Sequence, residues 1–183
     1  MIKTIFLAGG CFWCTEAVFQ RIKGVQSVQP GYIDGKVKNP AYREVCTGRT
    51  GHTEAIEVVY DTEEIQLSDL LSIFFTTHDP TTLNRQGNDI GTQYRSGIYY
   101  TSETQKETSI QIIKELTDRN FFKNPIVTEV KQASPFYPAE ENHHNYYNRN
   151  NEQPYCSFVI NPKMEKLKNF FSNYLKESYE REF

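Results

Sequence analysis

The residues with the most chemical potential stand together near the start of the chain. In "LAGGCFWCTE", residues 7–16, two glycines precede Cys11, Phe12 and Trp13 follow it, and a second thiol stands at Cys14. Three chemistries use such a set: disulfide exchange between the two thiols, half of a zinc site, or one nucleophilic thiol beside an aromatic pocket. A free thiol has a pKa of about 8.5, so at neutral pH only a small fraction is thiolate. Glycines allow close backbone approach, and a helix beginning at Cys11 would stabilise its thiolate. Cys14 falls on the same side as Ala17 and Val18, toward the core. It reads first as packing, second as an accessory redox thiol.

A structural zinc site would need a second close pair of ligands. Cys46 and Cys156 stand alone, and the adjacent His143 and His144 point apart, so no tetrahedral set assembles and no metal is expected. Two polar stretches supply other candidates. "PAYREVCTGRTGHTEAIEV" carries Tyr42, His52 and Glu54. A carboxyl at 54, just ahead of an apolar strand and flanked by aromatics, could be kept protonated by desolvation. "HDPTTLNRQGNDIGTQYRSG" carries Asp89 and Tyr94. For Glu54 the plain alternative is an ordinary strand-end carboxylate, and for Asp89 and Tyr94 it is a solvated loop side chain.

The elements that must position these groups follow from periodicity. Ile2 to Leu7 reads as a buried strand broken by Gly9 and Gly10, and Cys14, Ala17, Val18 and Ile22 mark a helix stopped near Gly24. Val25–Tyr32 and Ala55–Tyr60 read as strands, with a long Gly-, Asn- and Pro-rich loop between them. Leu67, Leu70, Leu71 and Phe74 mark a helix ending before Pro80, and a second long loop runs from Asp79 to Arg95. Ser96–Tyr100 is a strand. Ser102 and Gln105 form a capping box before a helix with Ile110, Ile113 and Leu116 inward. Ile126–Lys131 alternates like a strand, Gln153–Ile160 reads as extended, and Met164, Leu167, Phe171 and Leu175 mark a terminal helix. The expectation is an α/β (α+β sandwich) fold in a single domain over 1–183: a mixed sheet flanked by helices, two long functional loops and a mobile C-terminal tail.

Composition narrows the partners. A net charge of −3 argues against a nucleic-acid surface, and no apolar run is long enough to span a bilayer. Four cysteines without a secretory pattern point to the cytoplasm, where thiols stay reduced.

In order along residues 5 to about 150, "GCFW", "NPAYREVCTGRTGHTEAIEVVYD", "HDPTTLNRQGNDIGTQYRSGIYY", "IVTEV" and "FYPAEENHHNYY" make the chain resemble the type A peptide methionine sulfoxide reductases. The resemblance implies reduction of the S epimer of methionine sulfoxide, free or in oxidised proteins. Thioredoxin or dithiothreitol would be the external reductant, with no organic cofactor or metal. It makes Cys11 the attacking thiol, which becomes a sulfenic acid as methionine departs. Phe12 and Trp13 would enclose the substrate methyl group, Glu54 would protonate the oxygen, and Tyr42, Asp89 and Tyr94 would hold that oxygen and tune the acid. A monomer is expected.

Two departures touch recycling. Many relatives have Gly where this chain has Cys14, and some carry a glycine-rich tail with two cysteines where this chain has one, in "QPYCSFVINPK". A second thiol must turn the sulfenic acid into a disulfide. The family match makes Cys46 a packing residue, and the helix sets Cys14 about a turn away and inward. Cys156 follows an Asn-rich run, Asn148 to Gln153, so it is the expected partner, in a recycling segment over about 148–183. The rival classes are a thiol–disulfide oxidoreductase using Cys11 and Cys14, and a module that binds methionine without turnover.

Overall fold

The computed structural model describes residues 1–180; the last three residues of the expected recycling segment lie outside the described residues. Strand β1 (Ile2–Ala8) alternates: Ile5 and Leu7 join one apolar cluster, Phe6 and Ala8 another. All four are buried, as the two-residue period of a strand demands when both faces are covered. β1 lies between β3 (Thr53–Asp61) and β6 (Gly97–Tyr100), antiparallel to both. β2 (Val25–Ile33) is antiparallel to β3, with Tyr32 opposite Glu54. β7 (Glu129–Gln132) extends β6 in parallel, and the short β8 (Tyr137–Pro138) closes the other edge on β2. The sheet is therefore mixed, in the order β7-β6-β1-β3-β2-β8.

The larger cluster sits under three helices: α1 (Phe12–Gln20), α3 (Leu67–Thr77) and α6 (Asn161–Phe171). In α1 every residue from Phe12 to Phe19 except Trp13 is buried, so this helix is central rather than one-sided. Even Glu16 is covered; it accepts the amides of Asn145 and Tyr146, and burial raises its pKa.

Both long loops fold into small units. The first contains the turn of helix α2 (Tyr42–Val45), whose entry is closed by Ala41 N donating to Glu44 Oε1. Here His52 is a clamp: Nδ1 accepts from Gly35 N at 3.0 Å and Nε2 donates to Val37 O at 2.7 Å. The second loop holds the hairpin β4 (Arg85–Gln86) and β5 (Asp89–Ile90) and a 3₁₀ turn at Thr92–Tyr94.

Helix α4 (Glu103–Asp118) begins at Ser102, whose Oγ accepts from Gln105 N at 3.3 Å. The reciprocal half of the box is displaced by one residue: Gln105 Oε1 accepts from Thr101 N at 2.8 Å, while its amide donates to Thr4 O. Ile113 and Leu116 pack on the core, whereas Ile110 is exposed. The buried stripe starts at Gln105 and Ser109, so position 110 lies one residue's rotation away.

The C-terminal region departs most from expectation. Of residues 153–160, those from 154 on are helical, not extended: Cys156–Ile160 is a turn of π-helix leading directly into α6. Cys156, Ile160, Met164 and Leu167 form one buried stripe, and this burial overrides the strand preference of Phe158 and Val159. The Asn-rich run is packed rather than a free tail. In α5 (Tyr146–Asn150), Asn148 Oδ1 accepts from Arg21 Nη2 at 2.7 Å and its amide donates to Gln20. Arg21 is itself buried, so the run caps a charge on the underlying helix.

Candidate active site

Cys11 is the N-cap of α1 and only 8% exposed. Gly10 ahead of it holds φ +91, and a Cβ there would lie 2.5 Å from Gln86 Cγ. Glycine is thus required both by the backbone angle and by the close approach. Phe12 N, one of the helix's free amides, donates to Glu54 Oε1 at 3.1 Å. β3 carries Glu54, 1% exposed, so the carboxyl lies inside the protein rather than at a strand end. Burial pushes its pKa up to about 8. At neutral pH it is therefore mainly a carboxylic acid holding a transferable proton.

Aromatic rings surround this pair. Phe12 contacts Tyr32 and Tyr42 at centroid distances of 5.7 and 6.4 Å. The Tyr42 and Tyr94 phenols are raised by burial and next by the Glu54 charge, which places both near the acid as O–H donors. Trp13 stacks on Tyr146 at 3.7 Å and donates from Nε1 to His143 Nδ1 at 3.1 Å. His143 is also packed on Tyr42, 4.3 Å away, and burial lowers its pKa, which leaves the neutral ring able to accept.

The sulfurs are arranged differently from the expectation of a free Cys11 thiolate at a helix N-terminus. Burial raises the Cys11 thiol, and contact with the Cys14 sulfur raises it further. Cys14 is lowered because Cys11 hydrogen-bonds to it, with Lys163 adding positive charge. The desolvation of Cys11 outweighs the Trp13 amide that favours its thiolate. Cys14, read first as core packing, thus bears electrostatically on the candidate nucleophile and lines the same groove.

A buried acid holding its proton, tied to the residue after a thiol and walled by aromatics, is the arrangement a thiol-dependent oxygen-removing site requires. The family model for peptide methionine sulfoxide reductase matches residues 3–175. The chain belongs to this family. Its relatives include the peptide methionine sulfoxide reductase MsrA of Trichodesmium erythraeum, 54% identical over 93% of this chain and 97% of that protein. The MsrA of Sulfolobus acidocaldarius is also 54% identical, over 90% and 93% of the two chains. Among solved structures, reduced Mxr1 from Saccharomyces cerevisiae superposes with a TM-score of 0.77 at 36% identity, covering 85% of this chain and 89% of that one. Mxr1 in complex with Trx2 gives a TM-score of 0.55 at 28% identity over 78% and 84%.

For this reductase family member the structure gathers Cys11, Phe12, Glu54, Tyr42 and Tyr94 around one point. Trp13 joins through His143. Asp89 engages a residue absent from the sequence reading: its Oδ2 accepts from Tyr155 OH at 2.7 Å. The same hydroxyl lies 3.8 Å from Cys14 Sγ, and the Tyr155 ring meets Trp13 edge-on. Cys156 is completely buried, and its nearest thiol influence is Cys14. Cys46, expected to be packed, is exposed and touches the Tyr42 side chain. Among the described residues no group of three or more His, Cys, Asp or Glu side chains could hold a metal, and no helix is long and apolar enough to cross a membrane.

The sequence reading missed His143, Tyr155, Glu140 and Lys163. Glu140 accepts from Tyr32 OH and from Tyr42 N, both at 3.0 Å, and so fixes the aromatic wall. Only the aromatic-rich context of "ENHHNYY" hinted at His143. The other three are recruited from distant positions by folding.

Proposed function

We propose that the chain reduces methionine S-sulfoxide, free or in oxidised proteins, to methionine with electrons from thioredoxin. The observation that carries this reading is the Phe12–Glu54 hydrogen bond, which holds a protonated carboxyl beside the nucleophile's helix. Cys11 Sγ attacks the sulfoxide sulfur while Glu54 gives its proton to the oxygen. The Cys11 proton is released as its thiolate forms, and Cys14 lines the same groove. Methionine leaves, and Cys11 carries the oxygen as sulfenic acid. Phe12 and Trp13 wall the methyl group; Tyr42 and Tyr94 donate toward the oxygen; Asp89 anchors Tyr155.

For recycling, the contact between Cys11 and Cys14 favours Cys14 as the thiol that attacks the sulfenic acid, expels water and leaves a Cys11–Cys14 disulfide. The role assigned to Cys156 from sequence then becomes secondary. Its position near Cys14 supports a second reading, in which the disulfide passes onward to Cys156. Thiols supply both electrons, so no metal or organic cofactor is needed, and a reducing, cytoplasmic setting suits the cysteine usage.

The test is to incubate the protein with dithiothreitol and resolved sulfoxide epimers and to quantify methionine. The S epimer is expected to react and the R epimer to stay intact, because one wall and one proton donor serve one arrangement around sulfur. Cys11→Ser is expected to abolish the product with the fold retained. Full activity of that variant, or equal rates on both epimers, defeats the proposal.

A further inference from the structure

We infer that Arg95 is a positioning residue, whose guanidinium sets the loop bearing Tyr94 against the start of the strand bearing Glu54. This deepens the reading in which Glu54 and Tyr94 serve the sulfoxide oxygen, and it rests on that reading. The Arg95 side chain is only 11% exposed, and its donors reach several distant segments of the chain. Nη2 donates to Gly51 O at 3.0 Å, shortly before Glu54, and to Asp34 Oδ2 at 2.9 Å, just past the end of β2. Nη1 donates to Thr92 O at 2.9 Å, in the turn that ends at Tyr94. Nε donates to Glu129 Oε2 on β7 at 3.4 Å.

The backbone closes the same circuit. Thr53, which immediately precedes Glu54 and is completely buried, donates from Oγ1 to Gln93 O at 3.1 Å and to Arg95 O at 3.2 Å. One hydroxyl beside the acid therefore grips the carbonyls on either side of Tyr94. Thr53 ties the two segments directly, and the Arg95 fork ties them again through Gly51 and Thr92. Supporting hydrogen bonds of this kind hold a pair of reacting groups at a set spacing.

Arginine suits this position and lysine does not. Its planar fork presents several N–H donors at fixed angles, whereas a lysine ammonium is a point charge on a flexible stem. A covered guanidinium must also be paired with opposite charge. Asp34 and Glu129 provide it, and Lys131 balances them in turn, 3.0 Å from Asp34 Oδ2 and 3.3 Å from Glu129 Oε2. Asp34 stands at φ +66, a left-handed angle that Asp and Asn accept more readily than other side chains.

The test measures single-turnover methionine formation, with enzyme in excess and no added reductant, for Arg95→Lys, Tyr94→Phe and the double variant. Arg95→Lys is expected to slow the step about tenfold, and Tyr94→Phe by a similar factor, because both take the hydroxyl from its place. The double variant is expected within about twofold of Tyr94→Phe alone, since no hydroxyl is left to position. A role in stability alone would slow both backgrounds equally. Asp34→Asn removes one anchor of the fork and suits φ +66; it is expected to slow the step about threefold with the same dependence on Tyr94, and it decides the matter if Arg95→Lys does not fold. Lys131→Met alters the charge of the same cluster from its exposed side and is expected to leave the rate unchanged. Equal slowing by Arg95→Lys in both backgrounds overturns the proposal, as does an unchanged rate in Arg95→Lys or a loss in Lys131→Met as large as in Asp34→Asn. An unchanged rate in Tyr94→Phe strikes the underlying reading of that hydroxyl and the role of Arg95 with it. Failure of the wild type to form methionine strikes the proposed function itself.

Discussion

The amide of Phe12 and the carboxyl of Glu54 are joined across 3.1 Å, so the residue after the candidate nucleophile is tied to the buried acid. The bond orients the acid without supplying enough stabilisation to ionise it. Burial is the larger effect, and the pKa stands at about 8. Helix N-terminus and strand together thus hold a protonated carboxyl beside Cys11.

Glu54→Gln is expected to slow the single-turnover formation of methionine by about 10²-fold or more, the usual range for loss of a general acid. Glutamine retains a polar amide but has no transferable proton. In the wild type the chemical step should fall as pH rises through about 8, where Glu54 ionises. The same sign holds for stability. A raised pKa means that the folded state favours the neutral acid, so this contribution is fully present below the unfolded value and is lost as pH rises through about 8. A rapid-quench pH profile checks both the limb and its loss in the variant.

Peptide mapping after one turnover without reductant is expected to find Cys11 joined to Cys14. Cys14→Ser should still release one methionine per chain, because the attack by Cys11 and the proton from Glu54 do not require a second thiol, yet lose most thioredoxin-driven turnover. Cys156→Ser should be milder in turnover. Mapping that joins Cys11 directly to Cys156, with Cys156→Ser as the stalled variant, reverses these assignments.

His143 accepts from the indole of Trp13, so it must be unprotonated at Nδ1 for the proposed methyl-binding indole to keep its place. Burial lowers its pKa, which confines the loss of this acceptor to pH below the ordinary histidine value of about 6.5. Substrate KM should therefore rise on the acid side, and His143→Ala should raise it by roughly tenfold at neutral pH with a smaller change in kcat, as expected when a hydrogen-bonded indole loses its partner. Steady-state measurements from about pH 5 to 8 distinguish this from a purely structural role.

Gly10→Ala is expected to destabilise the fold by about 1–3 kcal/mol, since φ +91 is strained for any residue with a Cβ. The added methyl would also meet the Gln86 side chain, whose amide clamps Asp79 through its N and O. Activity should fall with stability, because the same turn sets the position of Cys11. Thermal unfolding together with dithiothreitol-driven turnover measures the two effects side by side.

The sequence by itself determined the strands at Ile2–Leu7, Val25–Tyr32 and Ala55–Tyr60, the helix after Cys11 and the helix at Leu67, because their periodicities are local and unambiguous. It also singled out Cys11, Phe12, Trp13 and Glu54 as candidates, since thiol, aromatics and acid stand in motifs that resemble one family. Tertiary structure decided the rest. The SFVI run has strand-favouring side chains, and packing of its buried stripe, continuous with α6, makes it helical. Cys14 looked like filler because an inward helical position says nothing about which atom it meets, and the fold sets that atom to be Cys11. Tyr155, Glu140 and Lys163 act on the site through long-range contacts, for which no local pattern exists. The Asn-rich run resembled a mobile tether, and its order comes from a buried arginine more than a hundred residues earlier in the chain. Periodicity reports which side of an element is buried; which groups meet there is settled only when distant elements close on one another.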